Sequence, residues 1–129
     1  TLGIYNLPHM NGLLEKNRRN ATIFDENLKN IDGIKLLKMN KKCKSAYWLY
    51  TIRVLNGKKQ EFMDKMKEAN IMTSQVHNRN DINSCVKDFT ESLPNIDTLE
   101  KELVCIPVGW WLEENDIEFI IKNVRDILN

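Results

Sequence analysis

The fold is decided by residues 47–55, which read Tyr47-Trp48-Leu49-Tyr50-Thr51-Ile52-Arg53-Val54-Leu55. Aromatic and β-branched side chains dominate this stretch, and such residues favour the pleated, half-buried surface of a sheet. The following pair, Asn56-Gly57, is typical of a turn. We therefore predict a strand over residues 47–55 and a sheet built around it.

Three other apolar stretches are short enough to be further strands of the same sheet. They cover residues 34–37, 71–76 and 103–106. The last of them stops at Pro107, which has no backbone N–H to donate to a ladder.

Apolar residues that recur every three or four positions predict the helices. The first helix carries such a stripe from Leu14 to Ile31, with Asn17 as its polar exception, and is expected to end at Asp32-Gly33. Further helices are predicted over 60–69 and 113–128, and shorter helical segments around 83–90 and 96–102. Residues 1–12 are expected to form an irregular lead-in, and His9-Met10 leaves open that part of it comes from cloning.

These elements predict an α+β fold in which helices cover a small, mostly antiparallel sheet of three to four short strands, in two layers. A length of 129 residues is that of one domain. The net charge of +1 gives no overall attraction to nucleic acid, and no apolar run reaches the roughly 18 residues of a membrane helix. Because the three cysteines are odd in number and widely spaced, we expect reduced thiols and a cytoplasmic protein, with Cys105 buried in its apolar run.

The strongest candidate for a ligand site is the segment that follows the predicted strand 71–76. His77, Arg79 and Asp81 alternate along it, so that an extended backbone would present them on one face. Arg79 could hold a phosphate or carboxylate with two parallel hydrogen bonds, and His77 titrates near neutral pH. The alternative is a solvated loop in which Arg79 and Asp81 pair with each other.

The other candidates have plainer explanations. The basic loop with Lys38, Lys41, Lys42 and Lys44 could contact RNA, yet the chain has no wider basic patch, and a solvated loop is favoured. Ser84 and Lys87 have the spacing of some acylating serine enzymes but lack their supporting motifs. Two histidines far apart and the absence of a Cys-x-x-Cys pair predict no metal site. Of Trp110 and Trp111, we expect one to be buried under the last helix and the other to lie near a partner-covered surface.

Taken in chain order, these segments resemble the C-terminal small domain of the DegT/DnrJ/EryC1/StrS family, the sugar aminotransferases that use pyridoxal phosphate. The loop Val76-His77-Asn78-Arg79-Asn80-Asp81 looks like the His-x-Arg-Asn-Asp loop of one branch of the family. The other matching segments are Arg18-Arg19-Asn20-Ala21 with Leu28, Ala46 to Tyr50, Phe62-Met63 through Ala69-Asn70-Ile71, Leu93 to Asp97, Val104 to Val108 and Leu112 to Asp116.

The resemblance implies that residues 13–129 are the small domain of an enzyme that moves an amino group from glutamate or glutamine to a keto-sugar nucleotide. The large domain, with the lysine that forms a Schiff base with the cofactor, is missing from this sequence. The chain alone is therefore expected to hold no pyridoxal phosphate and no catalytic residue, and its implied partners are the large domain, the sugar nucleotide and a second subunit of a homodimer. The implied substrate-binding residues are His77 and Arg79, Asp81 as the group that orients Arg79, and Tyr47 and Trp48 at the border of the same cleft. A non-catalytic α+β binding or regulatory module is the alternative.

Overall fold

The computed structural model describes residues 2–76 and 78–128. In this part of the chain, helices surround a sheet of three strands. The elements are α1 (Leu2–Leu28), β1 (Ile34–Leu36), β2 (Tyr50–Val54), α2 (Lys59–Glu68), two 3₁₀ turns (Asn80–Ile82 and Ser84–Phe89), α3 (Pro94–Glu100), β3 (Leu103–Ile106) and α4 (Glu114–Leu128).

The sheet has β2 in its centre and is antiparallel throughout, in the order β1-β2-β3. Ile52 lies opposite Leu36 on one side and Val104 on the other. Along β2, Tyr50, Ile52 and Val54 are buried and the residues between them are half-buried, so that one face of the sheet is fully covered.

The helices close the core over this face. Phe24 of α1, Phe62 of α2 and Ile117 of α4 are almost fully buried and join the buried sheet residues in one hydrophobic cluster. α4 has the strongest apolar stripe, and its buried residues are Ile117, Ile120, Ile121, Val124 and Leu128. The predicted α+β fold with a small antiparallel sheet under helices is confirmed, and it has a core of its own.

The expected irregular lead-in is wrong for the residues that the structure describes, because α1 already begins at Leu2. Gly3, Pro8 and Gly12 favour breaks in a helix, but Pro8 lies inside α1, where it removes one backbone donor and crowds the preceding turn. The predicted helix end is also too late: α1 ends at Leu28, and Gly33, with φ of 84°, serves the turn into β1.

Two predicted strands are shorter than expected. Residues 47–49 lie outside β2, and the φ of 46° at Tyr47 is incompatible with a strand. The predicted strand 71–76 is wrong, because within it only Ser74 pairs with β3, through two hydrogen bonds with Cys105 of 2.8 and 3.1 Å. Beyond Ile106 the pairing cannot continue, because the next residue, Pro107, has no N–H to donate.

Candidate functional site

Arg79 is held by two carboxylates. Its Nε donates to Oδ1 of Asp81 at 2.8 Å, its Nη2 donates to Oδ2 of the same carboxylate, and its Nη1 donates to Asp97. The side chain of Arg79 is only 14% exposed. The hydrogen bonds with Asp81 and then Asp97 raise the pKa of Arg79, and the guanidinium lowers the pKa of Asp81. The pairing of Arg79 with Asp81 is thus confirmed, and the role of Arg79 toward a ligand stays a prediction.

The three side chains come from two separate segments. Arg79 precedes the 3₁₀ turn that contains Asp81, and Asp97 lies in the first turn of α3. The ion pairs therefore tie the loop after residue 78 to α3, and we call this arrangement the Arg79 clasp. The sequence predicted an extended backbone that presents alternate residues on one face. This prediction is wrong at Asp81, since Asn80–Ile82 is a 3₁₀ turn. His77 lies outside the described residues, so its place beside the clasp stays a prediction.

Tyr47 and Trp48 line two different cavities. Trp48 borders an apolar groove of about 440 Å³, together with Met10, Leu13, Leu14 and Asn17 of α1, Leu49, and residues 106–111. Tyr47 borders a cavity of about 500 Å³ with Asp25, Lys29, Lys38 and Ser45 among its lining residues. The sequence predicted one cleft for both side chains. In the structure the backbone turns at Tyr47, and the two side chains line different cavities.

The cavity beside Tyr47 contains a partly buried hydroxyl–carboxylate contact. The hydroxyl of Tyr50 donates to Oδ1 of Asp25 at 2.6 Å. Burial, and then this hydrogen bond, raise the pKa of Tyr50 far above its usual value, and burial also raises the pKa of Tyr47. Both phenols therefore stay protonated at neutral pH, and the hydroxyl of Tyr50 acts as a hydrogen-bond donor.

α1 carries three polar residues whose anchoring roles the sequence did not reveal. Arg18 donates from Nε to the carbonyl of Ser45 at 2.9 Å, and Asn17 donates to the carbonyls of Ala46 and Tyr47 at 3.2 and 3.3 Å. These contacts fix the end of the basic loop, whose lysines are all exposed. In the sequence, Asn17 stands out as the polar exception in the apolar stripe of α1. This exception was the one sign of its anchoring role.

Asn20 is the third anchor and is 3% exposed. Its Nδ2 donates to the carbonyls of Val108 and Gly109 at 3.2 and 3.0 Å, and so it holds the loop between β3 and α4 against α1. This loop presents Trp110 and Trp111 to the groove that Trp48 borders.

The expectation that one of the two tryptophans is buried is wrong. Trp110 is 46% and Trp111 61% exposed, and the two rings meet edge to face with centroids 5.9 Å apart. Val108, which is 2% exposed, is the residue of this loop that enters the core.

The close approach of Trp111 to Gly109 leads to a first prediction. A Cβ at position 109 would lie 2.1 Å from the indole of Trp111, well inside van der Waals contact. Because this indole is largely exposed, Gly109→Ala should displace the ring rather than the backbone. We expect a changed tryptophan emission spectrum with a free energy of unfolding within about 1 kcal/mol of the wild-type value, measured by fluorescence and by chemical denaturation. A Trp111→Phe background is the control, in which the spectral change should vanish; a large loss of stability in Gly109→Ala would contradict the prediction.

Within residues 2–76 and 78–128, no three His, Cys, Asp or Glu side chains come together as metal ligands would. None of the helices described has the length and hydropathy needed to cross a bilayer.

The sequence profile of the DegT/DnrJ/EryC1/StrS aminotransferase family matches residues 1–125. Among solved structures, the sugar aminotransferase CalS13 from Micromonospora echinospora is 35% identical with a TM-score of 0.91, and the alignment covers 96% of this chain and 33% of CalS13. AtS13 from Actinomadura melliaura is 34% identical with a TM-score of 0.90, over 96% of this chain and 33% of its own. TlmJ from Streptoalloteichus hindustanus, an aminotransferase 21% identical over 98% of this chain and 34% of its own, shares the fold with a TM-score of 0.91.

The chain thus spans about a third of the length of these solved structures. The corresponding comparison with curated protein sequences gives no match. The family profile extends over nearly the whole chain, and the fold agrees with it. This chain belongs to the DegT/DnrJ/EryC1/StrS aminotransferase family.

Proposed function

We propose that this chain is the C-terminal small domain of a cytoplasmic, homodimeric aminotransferase. The enzyme would use pyridoxal phosphate to transfer an amino group from glutamate or glutamine to a keto-sugar nucleotide. The observation that carries the proposal is the 35% identity to a sugar aminotransferase over 96% of this chain, at a TM-score of 0.91. Since the chain spans a third of that enzyme, a larger cofactor-binding domain would come from the rest of the same polypeptide.

The described residues do not fit the cofactor. Pyridoxal phosphate supplies an aldehyde and an electron-withdrawing ring, and it needs a lysine within reach and a cup for its phosphate. Lys59 is the one described lysine that is half-buried, and burial lowers its pKa. Its Nζ donates to the carbonyl of Glu100 at 2.6 Å and to Gln75, so the amine is used to hold α2 against the end of α3 and the segment after α2. We therefore assign the cofactor site to the larger domain.

The part of the site that this chain would supply is a wall that binds and orients the substrate. The groove beside Trp48 is apolar and large enough for a sugar ring or a base, and aromatic rings bury such groups with little loss of conformational freedom. We propose that His77 and Arg79 lie next to the bound sugar nucleotide. Asp81 keeps the guanidinium in place through the clasp, and Tyr47 faces the neighbouring cavity at the same border.

The test uses the polypeptide encoded by the complete reading frame. We expect it to bind pyridoxal phosphate, seen as cofactor absorbance that amino donor changes, and to aminate a nucleoside-diphosphate keto-sugar from a panel with glutamate or glutamine. Trp48→Ala should lower kcat/KM for the sugar substrate about fivefold, which corresponds to the loss of an aromatic contact of roughly 1 kcal/mol.

The matched control is Phe119→Ala, because Phe119 is an exposed aromatic residue of α4 and does not line the groove. It should leave kcat/KM unchanged. A complete polypeptide that neither binds the cofactor nor transfers an amino group to any keto-sugar nucleotide would refute the proposed function.

A further inference from the structure

The positive charge of this chain is concentrated in one segment. Residues 33–60 contain eight of the 19 Lys and Arg residues and none of the 18 Asp and Glu residues. The rest of the chain therefore has eleven basic and eighteen acidic residues, and the net charge of +1 conceals a segment with a charge of +8. A local excess of this kind attracts anions even where the whole domain is nearly neutral.

This basic segment forms one edge of the sheet. β1 is the outer strand there, and Lys35 on it is exposed, as are the four lysines of the basic loop. Within residues 2–76 and 78–128, Lys44 is the only one of these five lysines that forms an ion pair, which joins it to Glu15 at 3.4 Å. The four that have no described carboxylate as a partner are Lys35, Lys38, Lys41 and Lys42.

The basic loop is held in a fixed shape. Arg18 and Asn17 of α1 donate to the carbonyls at its end, and at its tip the N–H of Cys43 donates to the carbonyl of Asn40 at 2.9 Å. The side chain of Asn40 accepts a further hydrogen bond from the N–H of Lys42 at 2.9 Å. The lysines are thus carried by an ordered turn, so that less conformational entropy is lost when a ligand binds.

The cavity of about 500 Å³ beside Tyr47 is lined by more positive than negative charge. Lys38 of the basic loop and Lys29, which directly follows α1, both line it, and neither forms an ion pair with a described residue. Asp25 is the one carboxylate among the described lining residues, and it already accepts the hydrogen of the Tyr50 hydroxyl at 2.6 Å. Lysine binds phosphate as a point charge, and two ammonium groups outweigh one carboxylate.

Hydroxyl groups add neutral hydrogen-bond donors to the same cavity. The Oγ of Ser45 accepts a hydrogen bond from the backbone N–H of Tyr47 at 3.0 Å and keeps its own hydrogen for another partner. Burial, and then the charge of Asp25, raise the pKa of Tyr47, so that its phenol stays protonated at neutral pH. No acceptor for this phenol lies among the described residues. Phosphate oxygens accept hydrogen bonds, and both donors therefore suit a phosphate.

The cavity beside Tyr47 and the groove beside Trp48 share a wall. Leu49 lines both of them. The described residues that line the groove include no charged side chain, whereas Lys29 and Lys38 line the cavity. A molecule that joins an uncharged ring to a diphosphate matches this pair of environments, because its two parts can lie on either side of Leu49.

Arg79, the other cation near the proposed substrate site, suits a diphosphate less well. Its Nε and Nη2 donate to Asp81, and its Nη1 donates to Asp97. The Arg79 clasp therefore contains one positive and two negative charges. A diphosphate would have to displace a carboxylate before it could bind this guanidinium, and like charges at short distance repel each other.

We infer that the cavity beside Tyr47 binds the diphosphate of the sugar nucleotide, with Lys29 and Lys38 as its countercharges, while the groove beside Trp48 takes an uncharged ring of the same molecule. The inference rests on the proposed function, which supplies this substrate. The cavity then distinguishes a nucleotide-linked sugar from a free sugar, since only the former brings the anion that the two lysines neutralise. The other lysines of the basic loop add a longer-range attraction that salt screens.

Binding of inorganic pyrophosphate to the complete polypeptide tests the site without any turnover. We expect Lys29→Gln and Lys38→Gln each to weaken this binding about tenfold in isothermal titration calorimetry, the effect of one lost charge-assisted hydrogen bond. Lys101→Gln is the matched control, because it removes an equal charge from an exposed position outside the cavity, and it should leave the affinity unchanged. The inference is overturned by a wild type that does not bind pyrophosphate, by cavity variants that bind it as the wild type does, or by an equal loss in the control.

Kinetics separate this role from a general effect on the enzyme. In both cavity variants, KM for the keto-sugar nucleotide should rise about tenfold. The reaction of the bound cofactor with the amino donor, which carries no diphosphate, should be unchanged. Single-stranded RNA that binds more tightly than pyrophosphate, together with an unchanged KM, would assign the lysines to nucleic acid and overturn the inference.

The outcomes also distinguish the inference from the proposed function. Amino transfer with an unchanged KM in Lys29→Gln and Lys38→Gln refutes only the inference. Pyrophosphate binding that depends on these two lysines, in a polypeptide that neither binds the cofactor nor transfers an amino group, refutes only the proposed function and leaves the anion site standing.

Discussion

Asn20→Asp is expected to lose about 3–5 kcal/mol of stability at pH 7, the usual cost of an unpaired charge at a buried position. Asn20 is 3% exposed, and its amide nitrogen donates to the carbonyl oxygens of Val108 and Gly109. A carboxylate has almost the same shape but no hydrogen to donate. The oxygen that replaces the amide nitrogen would face two carbonyl oxygens at the present distances of about 3 Å, away from water.

The loss should depend on pH in a definite direction. Burial and the two facing carbonyls raise the pKa of Asp at position 20 in the folded state above the unfolded value of about 3.9. The folded state then binds the proton more tightly than the unfolded state, so stability relative to wild type falls as pH rises above about 4. Near or below pH 4 the protonated acid can donate to one carbonyl, and the difference from wild type should shrink.

Chemical denaturation of variant and wild type at pH 4 and pH 7 measures this difference. Asn20→Ala is the control: it removes the donor to the carbonyls of Val108 and Gly109 without adding a charge, and should lose about 1–3 kcal/mol at both pH values. The Gly109 carbonyl keeps its hydrogen bond from the N–H of Leu112. A difference between Asn20→Asp and wild type that is the same at both pH values would show that position 20 is open to water in solution.

Arg79→Ala should lower kcat/KM of the complete polypeptide for the sugar substrate by about a hundredfold, the effect of an ångström-scale misplacement of binding groups. Without the guanidinium, Asp81 and Asp97 lose their shared partner, and the loop after residue 78 is no longer tied to α3. Arg79→Lys should restore only a small part of the activity, because a single ammonium cannot reproduce a planar fork that bridges two carboxylates.

The same variants separate the role of the clasp from a general role in folding. No residue from 78 to 102 is buried, so loss of the clasp leaves the hydrophobic core of this chain intact. The denaturation midpoint of Arg79→Ala should therefore stay close to that of the wild type while activity falls. Asp97→Asn, which neutralises only the partner on α3, should give a smaller loss of activity. Unchanged kcat/KM in Arg79→Ala would remove the clasp from the substrate site, and a parallel loss of midpoint and activity would show a merely structural role.

The elements predicted most accurately are those whose pattern is local. β3 was predicted at its observed bounds and α4 within one residue, because an apolar run stopped by proline and a stripe of isoleucine and valine specify a strand and a helix without help from distant residues. The prediction for the first half of α1 was wrong for the opposite reason. Gly3, Pro8 and Gly12 argue locally against a helix, but these residues are helical as part of a longer helix.

The candidate site could be predicted only in part. Arg79 and Asp81 were recognised as partners because they are two residues apart, but Asp97, which completes the clasp, lies 18 residues from Arg79. Trp48 was selected as a border residue, whereas its neighbours in the groove, Trp110 and Met10, come from the opposite ends of the chain. Ion pairs and cavities of this kind depend on how loops pack, and no periodicity in the sequence carries that information.

The amino-acid sequence alone determined which segments are strands or amphipathic helices, and hence the α+β class, because secondary structure follows from side chains a few positions apart. Only the tertiary structure decided that Asn20 holds a loop 88 residues away, that both tryptophans of that loop are exposed, and that Tyr47 and Trp48 face different cavities. These features depend on the positions of backbone carbonyls and on the space left between packed elements, which exist only once the whole chain has folded.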